Sequence, residues 1–359
     1  MFIVTNREVK PSASGLKKLG HTPNPKGSNE LRLVEANRSN GTWNINILPD
    51  VLTAPMKKEI GLENSNRKLY ASDYVARIVI ERVQKNKKNV LFFVHGYNND
   101  VGDVLDRAER LEKLYNVEVI VFSWPAHGGG IVGVASYLSD KRDARSSAGA
   151  LDRCIGRMAD LFTELTKEQQ EEIKNIVDAK FKSGMNLEKR NALLVELQEK
   201  KCPFSMNMIV HSMGAYVYEY ALIPSSSDAG KLLFDNVLLV APDTNNLDHE
   251  KWVDKIPCRK SLYITINEND KALKFSRAKI GDEQLPRLGH YRHNLVSKQA
   301  NYIDFTDYTK IGNEHAYFEG DPVEDHASPV YIFFSKILNG ESAYDVLSFD
   351  NGVGAYRFK

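Results

Sequence analysis

Along the first fifty residues apolar and polar positions alternate in short runs. Residues 1–5, 30–34 and 42–48 carry this pattern, and in the last of them Trp43, Ile45 and Ile47 recur at every second position. Period two is that of a half-buried strand, so these runs predict antiparallel edge strands. Between them, residues 10–29 are rich in Pro, Ser, Gly and Lys without an apolar period and read as a surface loop. From residue 72 the period lengthens. Tyr74, Val75, Ile78, Val79 and Val83 fall on one face of a helix that closes in the basic run 84–88.

Beyond residue 89, continuous apolar runs (90–94, 117–122, 206–210, 236–240, 262–266 and 302–305) alternate with helical patterns, and an amphipathic helix near 328–338 ends the series. Buried strands separated by helices predict an α/β fold with a mostly parallel central sheet covered on both faces. The pattern reads as a single domain over 1–359, with the antiparallel strands and their loop in 1–70. In such sheets chemistry sits at the carboxyl ends of the strands. Residues 160–201 do not fit the repeating unit. Ile173, Ile176, Val177 and Phe181 make an apolar stripe, Gly184 breaks it, and Leu187, Leu193, Leu194 and Leu197 continue beyond, which predicts an inserted helical hairpin. It reads equally as a lid, as a contact between copies in a homo-oligomer, or as an extended helix capping the body.

Charge narrows the function. Lys plus Arg number 48 against 47 for Asp plus Glu, so no global field draws the chain to nucleic acid or anionic lipid. No uninterrupted apolar run exceeds five residues, far short of the ~20 that span a bilayer. The start MFIVTNREVK lacks the long apolar core of a secretory signal, and cytoplasm is the expected setting. Cys154, Cys202 and Cys258 are widely spaced and odd in number, which argues against a disulfide framework or a zinc site and for small buried side chains.

The strongest chemical signal is the 206–210 strand running into His211-Ser212-Met213-Gly214, with a helical pattern (Tyr216, Val217, Tyr220) directly after it. A serine in such a strand-to-helix turn is pushed out at the top of the sheet as a nucleophile elbow, although Val210 stands where the usual pattern has its first glycine. The 90–94 strand leads into His95-Gly96-Tyr97-Asn98, the place for a second donor to a developing oxyanion. The N–H groups of Tyr97 and Met213 would form that hole, with His95 in a positioning role. The 117–122 strand leads to Ser123-Trp124-Pro125, putting Trp124 at the same rim, to line a pocket or to pack. His95, Gly96, Asn98, Trp124 and His211 are thus the candidate pocket residues.

Serine needs a base, and the base a carboxylate, in the chain order Ser, acid, His. Asp270 follows the 262–266 strand and heads a helical stretch, which favours it over Asp243 and Glu268. His315 lies just past the last predicted strand and is the favoured base. His326, near the final helix, is the alternative, more in keeping with a cap or surface position. His290 and His293 form H-x-x-H without further ligands and read as solvated loop histidines rather than a metal site. The run 128–133 satisfies G-x-G-x-x-G, but a Pro-containing spacer separates it from the strand and no ribose-binding acid follows the next one. It reads as a loop at the pocket mouth. No metal or cofactor is expected.

Taken together, FFVHGYNND (92–100), VFSWPAHGG (121–129), YLSDKRDARSSAGAL (137–151), MIVHSMGAYV (208–217), VLLVAPD (237–243), INENDKAL (266–273) and EHAYF (314–318) resemble a bacterial α/β-hydrolase family of unknown function. The resemblance implies an α/β-hydrolase fold with a triad on Ser212, Asp270 and His315, and no particular substrate. The expected activity is serine hydrolysis of a small-molecule ester, thioester or related acyl substrate. The rival readings are an acyltransferase and a catalytically silent fold that serves as a scaffold.

Overall fold

The computed structural model describes residues 1–128, 134–180, 189–191, 193–194, 196–197, 204–224, 226–277 and 285–359, with the side chains of 134 and 135 left out. Among these residues eleven strands form the main sheet. In chain order the strands of the protein are β1 (Phe2–Thr5), β2 (Arg7–Val9), β3 (Leu19–Pro23), β4 (Arg32–Ser39), β5 (Thr42–Ile47), β6 (Asn89–Val94) and β7 (Val117–Ser123). They continue with β8 (Met206–His211), β9 (Asn236–Val240), β10 (Ser261–Ile266), β11 (Ala300–Asp304), β12 (Leu347–Asp350) and β13 (Ala355–Phe358). The sheet order is β12-β13-β11-β10-β9-β8-β6-β7-β1-β4-β5. From β13 to β1 every neighbouring pair is parallel, and antiparallel pairs lie only at the two ends.

The parallel strands are buried on both faces, which is why they read as unbroken apolar runs. One face packs on helices α1 (Val101–Tyr115) and α2 (Pro329–Leu338), through residues such as Leu105 and Phe334. The other packs on α3 (Ala71–Asn86), α4 (Ala148–Lys180) and α5 (Gly214–Leu222). Because β6 has β7 on one side and β8 on the other, the strand order reverses between β6 and β8. The carboxyl ends at such a reversal form a crevice, and the loops after β6 and β8 meet there.

The structure corrects three expectations. β1 is not an edge strand: it pairs with β4 on one side and, in parallel, with β7 on the other. Residues 10–29 are not only loop, since β3 pairs with β2 in a separate two-stranded sheet; Leu19 is the one buried apolar side chain of β3, so no period marks it. The strand at 302–305 is not the last, because the chain returns in the hairpin β12–β13 to extend the sheet beyond β11. Within the segment 160–201, residues 160–180 continue the helix α4 that started at Ala148. Residues 189–191, 193–194 and 196–197 are helical, and Arg190 pairs with Asp178 of α4 at 2.8 Å. The break at Gly184 lies outside the described residues, as does Cys202; Cys154 is buried and Cys258 half-buried. No helix among the described residues is long and apolar enough to cross a membrane.

Candidate active site

Ser212 occupies the turn between β8 and α5 with its backbone at φ 53°, a left-handed conformation that L-residues other than Asn and Asp seldom adopt. Hydrogen bonds hold it there: its N–H donates to the Val240 carbonyl (3.0 Å), and its carbonyl accepts from Ala215 (3.0 Å) and Asp243 (3.1 Å). Small neighbours make the turn possible. A Cβ on Gly96 would fall 2.7 Å from the Ser212 Cβ, and one on Gly214 would fall 2.8 Å from the His95 carbonyl oxygen. Val210 needs no such clearance, because it is wholly buried in the apolar cluster that holds Val94 and Val217.

Asp270 follows β10 and is fully buried. Its Oδ1 accepts the Leu273 N–H at 3.0 Å, which caps the helix Lys271–Arg277, and its Oδ2 lies 2.6 Å from His315 Nδ1. A carboxylate only accepts, so Nδ1 carries the proton and the lone pair of His315 sits on Nε2. The loop that brings His315 is tied at three points. Asn267 Nδ2 donates to the carbonyls of Gly312 (3.1 Å) and Glu314 (3.3 Å), and His211 Nε2 lies 3.3 Å from the His315 carbonyl. That carbonyl can only accept, so His211 is protonated on Nε2, and its buried Nδ1 has no hydrogen-bond partner among the described residues. Burial, reinforced by His315 close by, holds the His211 pKa well below the usual imidazole range.

Ser212, His211 and His315 line one cavity of about 840 Å³ together with Tyr97, Asn98 and Asp243. Its wall is half polar, and Asp100, Asp103, Arg107, Arg110 and Glu314 belong to it. Asp243 does not stand behind a histidine. Its Oδ1 accepts from Ser276 (2.5 Å) and faces the Arg287 guanidinium (3.4 Å), while Oδ2 accepts from the Tyr137 hydroxyl (3.0 Å). This buried group beside Ser212 has no signature in the sequence, because Ser276 and Arg287 lie in stretches without period or motif.

The profile of a family described as alpha/beta hydrolases of unknown function (DUF900) matches residues 72–177 and 179–323, well over half of the chain. The chain belongs to this family. No curated protein and no solved structure matches it. In this DUF900 chain the remaining candidates fall as follows. His95 and Trp124 are fully buried and stack on each other with ring centroids 5.1 Å apart, and the Trp124 indole donates to the His95 carbonyl (2.8 Å). Neither is among the cavity-lining residues, so both pack beneath the loop rather than face a ligand, against the expectation of a pocket role. Burial, with the charge of Arg7, lowers the His95 pKa to about 3. Gly96 touches Ser212 from behind and Asn98 reaches the cavity. Tyr97 lines the cavity with its hydroxyl 2.7 Å from Ser136 Oγ, and Met213, almost fully buried, leads into α5.

His326 is exposed and stacks on Tyr331, and Glu268 pairs with Arg292 at 3.0 Å. His290 is half-buried in a short turn, and its buried Nε2 has no hydrogen-bond partner among the described residues, so it is not a solvated histidine; His293 is exposed. Of the glycine-rich run only Gly128 lies among the described residues; a Cβ there would meet the Asp100 backbone nitrogen at 2.4 Å. One further cluster has no signature in the sequence. His127, Asp140 and Asp143 bring potential metal-ligand atoms within 4.8 Å of one another. Asp140, fully buried, already accepts the Asn98 N–H (3.2 Å), the His127 N–H (3.2 Å) and the His127 ring (2.6 Å). Its carboxylate thereby ties the loop after β6 to the segment after β7.

Proposed function

We propose that this protein is a serine hydrolase acting on a small-molecule carboxylic ester, thioester or related acyl substrate. The observation that carries this reading is the 2.6 Å contact between His315 and a fully buried Asp270, with Ser212 in its left-handed turn on the same cavity as His315. In the first step the Ser212 hydroxyl adds to the substrate carbonyl while His315 Nε2 takes its proton, and Asp270 stabilises the imidazolium so formed. The N–H groups of Tyr97 and Met213 donate to the oxyanion. Collapse of the tetrahedral species expels the alcohol or thiol, which takes the proton back from His315 and leaves an acyl group on Ser212. Water, deprotonated by the same histidine, then releases the acid. The widely spaced cysteines suit a cytoplasmic setting.

Labelling of the purified protein with a fluorophosphonate probe tests the reading, alongside hydrolysis of short and long p-nitrophenyl esters. Wild type is expected to label, Ser212→Ala not at all, and His315→Ala and Asp270→Asn far more slowly. A folded wild-type protein that neither labels nor hydrolyses any ester would overturn it.

A further inference from the structure

A second cavity lies on the sheet face that α3 and α4 cover. Its volume is about 490 Å³, and it opens where α3 and α4 cross the sheet face. Val90 and Met206, at the amino-terminal ends of β6 and β8, lie on its floor with Ile120 of β7. The length of β8, roughly 17 Å at ~3.3 Å per residue, separates Met206 from Ser212, and the lining reaches the level of Val210 at Val4 of β1, three strands away from β8. The walls are apolar: Val75 and Val79 come from α3, Leu161 and Phe162 from α4. The space exists because α3 turns short side chains to it, Ala71, Ser72 and Ala76, where larger ones would close it.

The charges at this cavity are unequal in their engagement. Arg32 pairs with Glu30 (3.4 Å) and Asp50 (3.7 Å), all three lining the cavity, and Arg157 pairs with Asp73 (3.1 Å). Arg153 is the exception. It is exposed at the mouth, it donates to the neutral Asn29 carbonyl at 2.9 Å, and it has no carboxylate partner among the described residues. Ligand sites in proteins are typically concave, of ~300–1,000 Å³, mostly apolar, with a few placed polar groups that fix orientation. The apolar floor and walls offer water few partners and favour an apolar occupant, while the charges sit at the rim.

We propose that this cavity binds a single-chain amphiphile with an anionic head, a fatty carboxylate, whose chain lies between α3 and α4 and whose head meets Arg153. The site stands apart from the Ser212 cavity and does not depend on the hydrolytic reading. Isothermal titration of the full chain with dodecanoate below its micellar concentration tests it, with dodecanol as the neutral counterpart. Wild type is expected to bind one dodecanoate saturably. Ala76→Phe, which fills the space, is expected to abolish binding of both ligands. Arg153→Glu, a surface change that leaves the fold intact, is expected to weaken dodecanoate by about tenfold or more, as loss of a charge-assisted hydrogen bond implies, and to leave dodecanol unchanged. Melting curves verify that each variant is folded, and if Ala76→Phe is not, the Arg153→Glu comparison decides alone. Absence of saturable binding to wild type would overturn the proposal. So would dodecanoate binding that survives in folded Arg153→Glu, or equal weakening of both ligands.

Discussion

Ser212 holds a backbone conformation that costs about 1–3 kcal/mol in a residue with a side chain, and the hydrogen bonds to Val240 and Asp243 are what keep it there. Glycine adopts the same φ without that cost. Ser212→Gly is therefore expected to raise the melting temperature while abolishing fluorophosphonate labelling, a gain in stability that comes with loss of function. His95 makes a second residue-level case. Burial lowers its pKa to about 3, against about 6.5 in the unfolded chain, so between these values the unfolded state takes up a proton that the folded state refuses. The associated stability is fully present above pH 6.5 and falls by about 1.4 kcal/mol per pH unit as the medium is acidified toward pH 3. Buried His211 adds in the same direction. Melting temperatures are expected to drop from pH 7.5 to pH 5, and the drop to shrink in His95→Gln, which does not titrate.

At the scale of elements, the C-terminal hairpin shows where reading the sequence stops. β13 pairs with β11, Phe358 packs its ring on Phe305, Tyr308 and Phe333, and Arg357 pairs with Asp304 at 2.9 Å. Phe358→Ala is expected to destabilise the protein by about 2 kcal/mol in urea titration, somewhat under the cost at a fully buried site because Phe358 is only partly covered. In LSFD and AYRF one residue of each four is fully buried, so neither run announces a strand. The central strands are different. Val90–Val94 and Val237–Val240 are covered on both sides, and an unbroken apolar run is the trace that such a strand leaves in a sequence. The same contrast holds at the candidate site. Ser212 and Asp270 follow closely on ends of buried strands and are legible from that position, whereas His315 lies well along the loop after β11 and is reached only through the chain order Ser, acid, His. The Asp243 group is not legible, since Tyr137, Ser276 and Arg287 reach it from three separate segments. His95 and Trp124 mislead for a related reason: a strand end identifies height in the sheet, not whether a side chain turns toward the cavity or beneath it.

For the molecule as a whole the decisive residue is Arg7, fully buried yet charged, its pKa lowered by burial only to about 10. Its guanidinium donates to Ser123 Oγ (2.9 Å) and to the carbonyls of Gly20 (3.2 Å), Asn99 (3.1 Å) and Ala126 (2.9 Å). It thus joins the first strands to the loops after β6 and β7, the former of which carries Tyr97. Lysine has a single ammonium and cannot serve four acceptors in this fork, so Arg7→Lys is expected to cost about 3 kcal/mol in chemical denaturation. A labelling rate that falls in the folded fraction as well would show that the Tyr97 loop moves with it. The partner set also bears on how the chain assembles. β1 lies against β7, with Phe2 opposite Ile120, and Arg7 completes its contacts only when Ala126 is present. The antiparallel partner β4 follows β1 within about thirty residues, whereas the parallel partner β7 comes only more than a hundred residues later. Pairing across the longer separation comes late, so one edge of β1 closes early on β4 while the edge that meets β7 stays open, a bare strand edge on which two unfinished chains can stick together.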